Sequence, residues 1–218
     1  MDGEKKERRV IYNEYKAERF LSKYVKIAKG RLVRKLEEID LNKFKFPFFL
    51  KIISNQAVHK SDVKGVRLVS GRDDLEREFR DLEEIARRRR LRLDGFLVQE
   101  EIEGEQLIIG IKKDHVFGHV ILLGLGGIFT EVLKDIAVRK CPVREGDAQE
   151  MIDELKAKDV FYGARGKKLN LNLLKKNLAK LSEIPLKNKN IAEMDINPFI
   201  LNEKEGKVVD ARIVFDRV

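Results

Sequence analysis

The sequence contains few of the residues on which several common kinds of functional site depend. Its 218 residues include one cysteine, three histidines, four prolines and no tryptophan. A single cysteine, Cys141, excludes a disulfide within the chain and any metal site built from several cysteines. No apolar run approaches the roughly 20 residues of a transmembrane helix, and residues 1–9 lack the apolar core of a secretory signal. These absences predict a soluble, cytoplasmic protein with no membrane partner.

Positive charge is in excess, since 46 Lys and Arg outnumber 37 Asp and Glu and give a net charge of +9. A basic chain suggests nucleic-acid binding. However, residues 1–45 hold 14 basic and 8 acidic residues, whereas the rest is nearly balanced. The basic run 87–90 ends a predicted helix, where cations complement the helix dipole. The aromatic residues are not interleaved with basic ones as in single-strand binders. The sequence therefore predicts no nucleic-acid partner.

Predicted helices and strands are mixed along the chain rather than strictly alternating. The predicted helices are 4–24, 73–90 with Asp73 as N-cap, 146–156 and 171–181. The predicted strands are 48–53, 66–69, 95–99, 107–111, 120–123, 136–138, 191–196, 199–201, 208–210 and 213–215. The four prolines fall beside the ends of these elements. Neighbouring strands without intervening helices favour antiparallel pairing, which predicts an α+β fold.

The first candidate site residue is Lys51, inside the apolar run FPFFLKIIS. A lysine in a buried strand is costly unless its ammonium group meets an anion. The alternative is an edge strand from which Lys51 points into solvent, because strand residues alternate between two faces.

Two loops follow strands and contain residues that can handle phosphate. The histidine of His59-Lys60-Ser61-Asp62 could accept a phosphoryl group or act as an acid or base, although the tetrapeptide alone favours a solvated turn. The glycines of residues 124–127 would let backbone amides approach phosphate oxygens. This glycine pattern is neither a Walker A motif nor GxGxxG, so alone it indicates little.

The fourth candidate is the segment AEMDINPF at 192–199, followed by Asp210 in VVDAR. Asp195 and Asn197 are two residues apart, so in a strand their side chains share one face. Two oxygen ligands together with nucleotide phosphates suit Mg²⁺. The alternative is a pair of turn residues before Pro198. Taken together, the buried lysine, the glycine loop and these ligands predict a phosphoryl-transfer site.

The ordered set of short motifs resembles one family from about Glu14 to the C-terminus. The motifs are LKIIS, HKSDVKGVRL, FLVQEEIEG, FGHVILLGLGGIFTEVLKDIAVRKCP, FYGARG and AEMDINPF with VVDAR. Their order and spacing resemble those of the ATP-grasp β subunit of ADP-forming acetate–CoA ligase, an ADP-forming acyl-CoA synthetase. The chain is similar, more distantly, to the nucleotide-binding β subunit of succinyl-CoA synthetase.

The resemblance implies an α+β ATP-grasp fold in which two lobes with mainly antiparallel sheets grip the nucleotide. The expected parts are an N-terminal helical segment at 1–25, a first lobe at 26–100 and a second lobe at 101–218. It also implies a ligase that reversibly makes ATP from acyl-CoA, phosphate and ADP, with Mg²⁺. The implied partner is a CoA-binding α subunit carrying a phosphohistidine, in an α2β2 heterotetramer.

The resemblance also implies roles for individual residues. His59 matches a histidine that carries the phosphoryl group, and Asp195 matches an acid near the incoming phosphohistidine. Lys51 matches a strand lysine that contacts nucleotide phosphates, while Asn197 and Asp210 match Mg²⁺ ligands. The remaining positions implied to contact ATP or ADP, in the hinge, after the hinge and in the phosphate loop, are Gln99, Glu100, Ile102, Gln106, Gly126 and Gly127.

Three positions depart from the family pattern. Gln106 stands where the family usually has glutamate, so it can hydrogen-bond a ribose hydroxyl but carries no charge. Lys64-Gly65 replaces a usual Gly-Gly pair, and Asp114-His115 replaces a usual Asp-Pro. Three further residues in family-like stretches receive no role: Glu131, Arg139 and Arg165.

Two other functions compete with this interpretation. A different ATP-grasp ligase would form an acyl-phosphate and would need no phosphohistidine, so a labelled phosphoryl group on His59 would separate the two. A basic, non-enzymatic binding module would bind duplex nucleic acid with a steep salt dependence and would not bind Mg·ATP.

Overall fold

The structure, a computed structural model, describes residues 9–55, 64–127, 134–164, 166 and 168–217. The helices are α1 (Glu14–Leu21), α2 (Arg72–Arg88), α3 (Glu145–Glu154) and α4 (Leu171–Lys187). The strands are β1 (Arg9–Tyr12), β2 (Gly30–Val33), β3 (Phe48–Ser54), β4 (Val66–Val69), β5 (Leu93–Glu100), β6 (Glu105–Asp114), β7 (Gly118–Leu125), β8 (Ile136–Lys140), β9 (Ile191–Leu201), β10 (Gly206–Val208) and β11 (Ala211–Asp216).

The chain divides into two compact units. Of the described residues, those within 9–12, 17–27 and 103–217 form the larger unit, and those within 13–16 and 28–102 form the smaller unit. The first turn of α1 therefore belongs to the smaller unit, and the rest of that helix belongs to the larger one.

The smaller unit is built on a four-stranded antiparallel sheet in the order β2-β5-β3-β4. The long helix α2 contacts β3 and β4. Buried side chains of α2, including Phe79 and Leu82, pack with sheet residues such as Phe48 and Phe96. The rings of Phe79 and Phe96 lie 4.6 Å apart. Burial of this apolar face stabilises the unit and fixes the position of the central strand β3.

The larger unit is built on a seven-stranded antiparallel sheet. Six strands follow the order β1-β11-β9-β6-β7-β8. The seventh strand, β10, pairs with residues 199–201 at the end of β9. Helix α3 contacts β8, and α4 contacts both α3 and β7. Alternate residues of β6, such as Ile109 and Ile111, are buried in the core with Leu174 and Leu178 of α4. This alternation leaves the intervening residues of the same strands more exposed.

These observations confirm the predicted α+β class with antiparallel sheets, and they correct several elements. Residues 9–12 form a strand instead of the start of a helix, because β1 pairs with β11 and Tyr12 packs on Phe215 at 4.8 Å. Tertiary pairing outweighs helix propensity there. Helix α2 begins at Arg72 after Gly71, so Asp73 lies in its first turn and is not the N-cap.

Two predictions near prolines also need correction. Residues 191–201 form one continuous strand, β9, rather than two strands separated at Pro198. Pro185 lies inside α4 near its end, rather than beyond it. No helix among the described residues combines the length and the apolar composition that a membrane crossing requires.

Candidate functional site

The polar residues predicted to bind Mg²⁺ lie on one face of the seven-stranded sheet. Asp195 and Asn197 are exposed on β9, whereas the intervening Met194 and Ile196 are buried. The strand therefore places both polar side chains on the face opposite the core, as the two-residue spacing predicts. The alternative, a turn before Pro198, is wrong because Asn197 and Pro198 are part of β9.

Backbone hydrogen bonds fix Asp210 beside these residues. The Asn197 amide donates to the Asp210 carbonyl oxygen at 3.1 Å, and the Val209 amide donates to the Pro198 carbonyl oxygen at 3.1 Å. Asp210 directly precedes β11, which runs antiparallel to β9. Asn197 and Asp210 are therefore neighbours across the two strands, although 13 positions separate them in the sequence.

The donor atoms of this pair suit Mg²⁺. A carboxamide oxygen and a carboxylate oxygen are hard ligands, and Mg²⁺ usually takes few protein groups and completes its shell with water and phosphate oxygens. Within the described residues there is no group of three or more His, Cys, Asp or Glu that could hold a metal by itself. The residues present therefore fit a magnesium ion that arrives with a nucleotide, rather than a permanent protein-only metal site.

Lys51 lies on β3, between β4 and β5 and not on an edge strand. Its side chain is buried, and Nζ donates to Glu14 Oε1 at 2.9 Å and to Gln99 Oε1 at 2.6 Å. The Glu14 side chain is fully buried. Taking both charges out of water is costly, and the close contact with hydrogen bonds offsets that cost. The expectation that a buried Lys51 meets an anion is thus met by a carboxylate of the same unit.

Glu14 was missed by the sequence interpretation. It lies 37 positions before Lys51, in the first turn of α1, which Asn13 begins by accepting a hydrogen bond from the Lys16 amide at 3.2 Å. An acid in the first turn of a helix is common because it complements the helix dipole, so its residue type alone gave no signal.

The predicted adenine-contacting residues lie at and just beyond the end of β5. Gln99 is fully buried, and its Oε1 accepts a hydrogen bond from Lys51 Nζ. Glu100 Oε1 accepts the Lys29 amide at 2.7 Å, and the Glu100 amide donates to the Lys29 carbonyl at 2.9 Å. Ile102 is partly exposed in the segment that leads to β6. Their contact with adenine stays a prediction.

Gln106 and the glycine loop are adjacent in the larger unit. Gln106 is exposed near the start of β6, and its carbonyl oxygen accepts the Gly126 amide at 2.7 Å. A Cβ at Gly126 would lie 3.0 Å from both the Cβ and the carbonyl oxygen of Gln106. Gly127 has a φ of 64°, a left-handed conformation that glycine adopts readily. The close packing explains Gly126, and the backbone conformation explains Gly127.

Several positions of interest lie outside the described residues. His59 and the rest of its predicted turn fall in 56–63, Glu131 falls in 128–133, and Arg165 is likewise not described. The roles assigned to these positions stay predictions.

Two other positions that depart from the family pattern, Lys64 and Asp114-His115, lie among the described residues. Lys64 has a φ of 52°, which is the conformation that a glycine at that position would favour. At Asp114-His115 the turn forms without proline, because Asp114 Oδ1 accepts the amides of Val116 and Phe117, each at 2.8 Å. These two backbone hydrogen bonds hold the pKa of Asp114 below its usual value.

Comparison with protein families decides the classification. A family model described as an ATP-grasp domain matches residues 4–215. The chain belongs to the ATP-grasp family. The resemblance inferred from the motifs is thereby confirmed, and so is the fold expected from it.

Named relatives of this ATP-grasp chain are ADP-forming acetate–CoA ligases. The β subunit of acetate–CoA ligase (ADP-forming) II from Pyrococcus furiosus is 37% identical over 212 residues, which cover 92% of the chain and 90% of that subunit. Acetate–CoA ligase (ADP-forming) I from Archaeoglobus fulgidus is 39% identical over 173 residues, which cover 78% of the chain. The match spans only 25% of the length of that second relative.

A solved structure shows the same fold. An acetyl-coenzyme A synthetase 1 from Ca. Korarchaeum cryptofilum, in complex with coenzyme A and Ca-AMPCP, matches with a TM-score of 0.90 and 38% identity. The match covers 94% of this ATP-grasp chain and 93% of the other chain. At this identity the match supports the family assignment as well as the fold.

Proposed function

We propose that this ATP-grasp chain is the nucleotide-binding subunit of an ADP-forming acyl-CoA synthetase. It transfers a phosphoryl group between a phosphohistidine and ADP, so that ATP is made reversibly from acyl-CoA, phosphate and ADP. The observation that carries the proposal is the polar pair Asn197 and Asp210, which the hydrogen bond between their backbones holds together on one sheet face. The names of relatives that cover most of the chain support it.

The nucleotide contacts follow from the chemistry of each side chain. Asn197 and Asp210 would hold Mg²⁺, which neutralises charge on the phosphates when it is bound. Lys51 contacts the phosphates through its ammonium group, and the backbone at Gly126 and Gly127, which carries no Cβ, lets them approach closely. Gln106 hydrogen-bonds the ribose. The segment containing Gln99, Glu100 and Ile102 contacts adenine.

The phosphoryl step requires a histidine and an acid. We assign His59 as the carrier within this chain and Asp195 as the acid that orients an incoming phosphohistidine by accepting its ring N–H. In the transfer to ADP, the N–P bond breaks and an O–P bond to the terminal phosphate oxygen of ADP forms. The electron pair of the broken bond returns to the ring nitrogen. Asp195 is suited to this role because it is exposed on the same face as Asn197.

The proposal includes a CoA-binding α subunit that carries its own phosphohistidine, in an α2β2 assembly in the cytoplasm. Two relatives in Pyrococcus furiosus are named as β subunits, and the chain covers 90% and 75% of them. In the Archaeoglobus fulgidus relative, the matching region is a quarter of a longer chain. Both arrangements are expected if this region works together with a second functional part.

ATP formation tests the proposal directly. The chain is co-expressed with a CoA-binding subunit from the same genome, and the complex is incubated with ADP, phosphate, Mg²⁺ and an acyl-CoA. Acetyl-CoA, 4-hydroxybutyryl-CoA and feruloyl-CoA form a rational panel, since relatives are named for these acyl groups. We expect ATP with at least one of them. No ATP with any of them, from a complex that binds CoA, would contradict the proposal.

A further inference from the structure

Arg212 lies beside the proposed site, next to the residues expected to hold Mg²⁺. It is on β11, where its Cα is the direct partner of the Cα of Asp195 on β9. Residues directly opposite each other in antiparallel strands project to the same face, with Cβ atoms about 5 Å apart. Arg212 follows Asp210 by two positions, and the intervening Ala211 is buried. Asp195, Asn197, Asp210 and Arg212 therefore form one four-residue patch.

The guanidinium group of Arg212 is incompletely satisfied. Its Nε is buried and has no hydrogen-bond partner among the residues that the structure describes. Leaving a buried donor unpaired is costly, more so for a charged group, so such a group in a native protein calls for an explanation. By contrast, Arg9 on the neighbouring strand β1 pairs with Asp216 at 3.3 Å.

We propose that Arg212 binds the phosphoryl group while it is transferred, an inference that rests on the proposed function. A guanidinium presents several N–H donors in one plane, a geometry that matches two oxygens of a phosphoryl group. The other three residues of the patch supply two oxygen ligands for Mg²⁺ and one acid. Arg212 is therefore the member of the patch that carries a positive charge. Phosphoryl transfer depends mainly on positioning and on neutralising the charge of the equatorial oxygens.

A phosphoryl oxygen fits this position better than the carboxylate of an acyl substrate. Of the proposed Mg²⁺ ligands, Asp210 directly precedes β11, the strand of Arg212, and Asn197 lies on the neighbouring strand β9, so the anion that reaches Arg212 is the one bound with the metal. The terminal phosphoryl group of ATP, which ADP lacks, is the part of the nucleotide that Arg212 is expected to contact. This difference gives a measurement that needs no partner subunit.

The experiment compares Mg·ADP with Mg·AMPPCP, a non-transferable ATP analogue, by calorimetry. The variants are Arg212→Met, Arg212→Gln and Arg212→Lys, and Arg9→Met serves as a matched control for the loss of one arginine from the same sheet. We expect Arg212→Met to weaken Mg·AMPPCP binding by about tenfold or more, the size of one charge-assisted hydrogen bond, and Mg·ADP binding by less than about threefold. Arg212→Lys should keep part of the wild-type preference for Mg·AMPPCP over Mg·ADP. Arg9→Met should bind both nucleotides with wild-type affinity.

Each other outcome decides against the inference. Equal weakening of both nucleotides would show that Arg212 acts through the fold, and unchanged affinities would show that it makes no contact. Arg212→Gln, which keeps an amide donor and much of the side-chain length, provides the same comparison if Arg212→Met does not fold. Wild-type protein that binds neither nucleotide would contradict the proposed function itself. That result differs from a variant-specific failure.

Discussion

The ammonium group of Lys51 lies 2.9 Å from Glu14 Oε1 and 2.6 Å from Gln99 Oε1, with all three side chains buried. The arrangement joins the first turn of α1 to two central strands of the smaller unit. It places a full positive charge in a region from which water is largely excluded. Such a charge is strongly coupled to whichever anion is nearest, so the stability of the unit depends on it, and under the proposed function so does the affinity for phosphate.

Removing the carboxylate of Glu14 tests this coupling. Glu14→Gln leaves Lys51 as a buried charge without its counter-ion, and we expect a loss of about 3–5 kcal/mol in the free energy of unfolding, measured by urea denaturation. Glu76→Gln is the matched control, because Glu76 pairs with Arg80 on the exposed side of α2. That surface change should leave stability nearly unaltered.

The double variant Glu14→Gln/Lys51→Met separates stability from binding. Removing both charges avoids an uncompensated buried ion, so most of the lost stability should return. The double variant should nevertheless bind Mg·ADP more weakly than the wild type does, because it lacks the Lys51 cation that contacts the phosphates. Glu14→Gln as stable as Glu76→Gln would refute the structural part of this prediction. Normal Mg·ADP affinity in the double variant would refute the assignment of Lys51.

Asp210 should set the Mg²⁺ requirement. Asp210→Asn keeps the size of the side chain but removes the charge, so the Mg²⁺ concentration needed for half-maximal ADP binding should rise by about tenfold or more. Asp153→Asn is the control, because Asp153 is an exposed acid that bonds to Tyr162 and Gln149. A magnesium dependence that is identical in the two variants would contradict the metal assignment.

Cys141 should resist alkylation while the protein is folded. Its thiol is buried, and burial raises its pKa to about 12. Because the thiolate is the reactive form, iodoacetamide should modify the folded protein very slowly at pH 8. The rate should increase as pH approaches the raised pKa, or as soon as urea unfolds the chain. Modification at the same rate with and without urea at pH 8 would show that the thiol is accessible.

Gly104 is required by close packing. A Cβ at this position would lie 2.5 Å from the Leu201 carbonyl oxygen and 2.7 Å from Ile200 Cγ2. Gly104→Ala should therefore destabilise the protein by about 1–3 kcal/mol, as overpacking does. Gly146→Ala is the opposite control, since nothing lies within 4 Å of its added Cβ and it sits in α3. There alanine should stabilise by up to about 1 kcal/mol, because glycine is unfavourable in a helix. A Gly104→Ala protein that melts at a higher temperature than Gly146→Ala would contradict this packing.

The sequence is sufficient to predict which side chains share a sheet face when those side chains lie on one strand. Asp195 and Asn197 alternate with Met194 and Ile196, so their common face followed from the two-residue period of a strand. The apolar residues around Lys51 left a buried position and an edge-strand position equally open, and the place of β3 between β4 and β5 decides for burial. The glycines after β7 were recognised as a loop, although the strand extends to Leu125, further than the pattern indicated.

The remaining features depend on pairing between distant segments. Glu14 meets Lys51 only because residues 13–16 pack within the smaller unit, and Arg212 meets Asp195 only through the register of β9 and β11. The local periodicity of a single sequence indicates which face of a sheet a residue occupies, but not which distant segment its strand pairs with. Strand β1 was assigned to a helix for the same reason, since its partner β11 lies about 200 residues away.

Phosphorylation of His59 is the most direct test of the central claim, that this chain moves a phosphoryl group between histidine and a nucleotide. The assembled complex is incubated with Mg²⁺ and γ-labelled ATP, quenched in alkali and mapped by mass spectrometry. We predict an acid-labile, base-stable label on His59 that a chase with ADP returns as labelled ATP, and no label there in His59→Ala. A wild-type complex that never carries label on His59, together with a His59→Ala complex that makes ATP at the wild-type rate, would contradict the account.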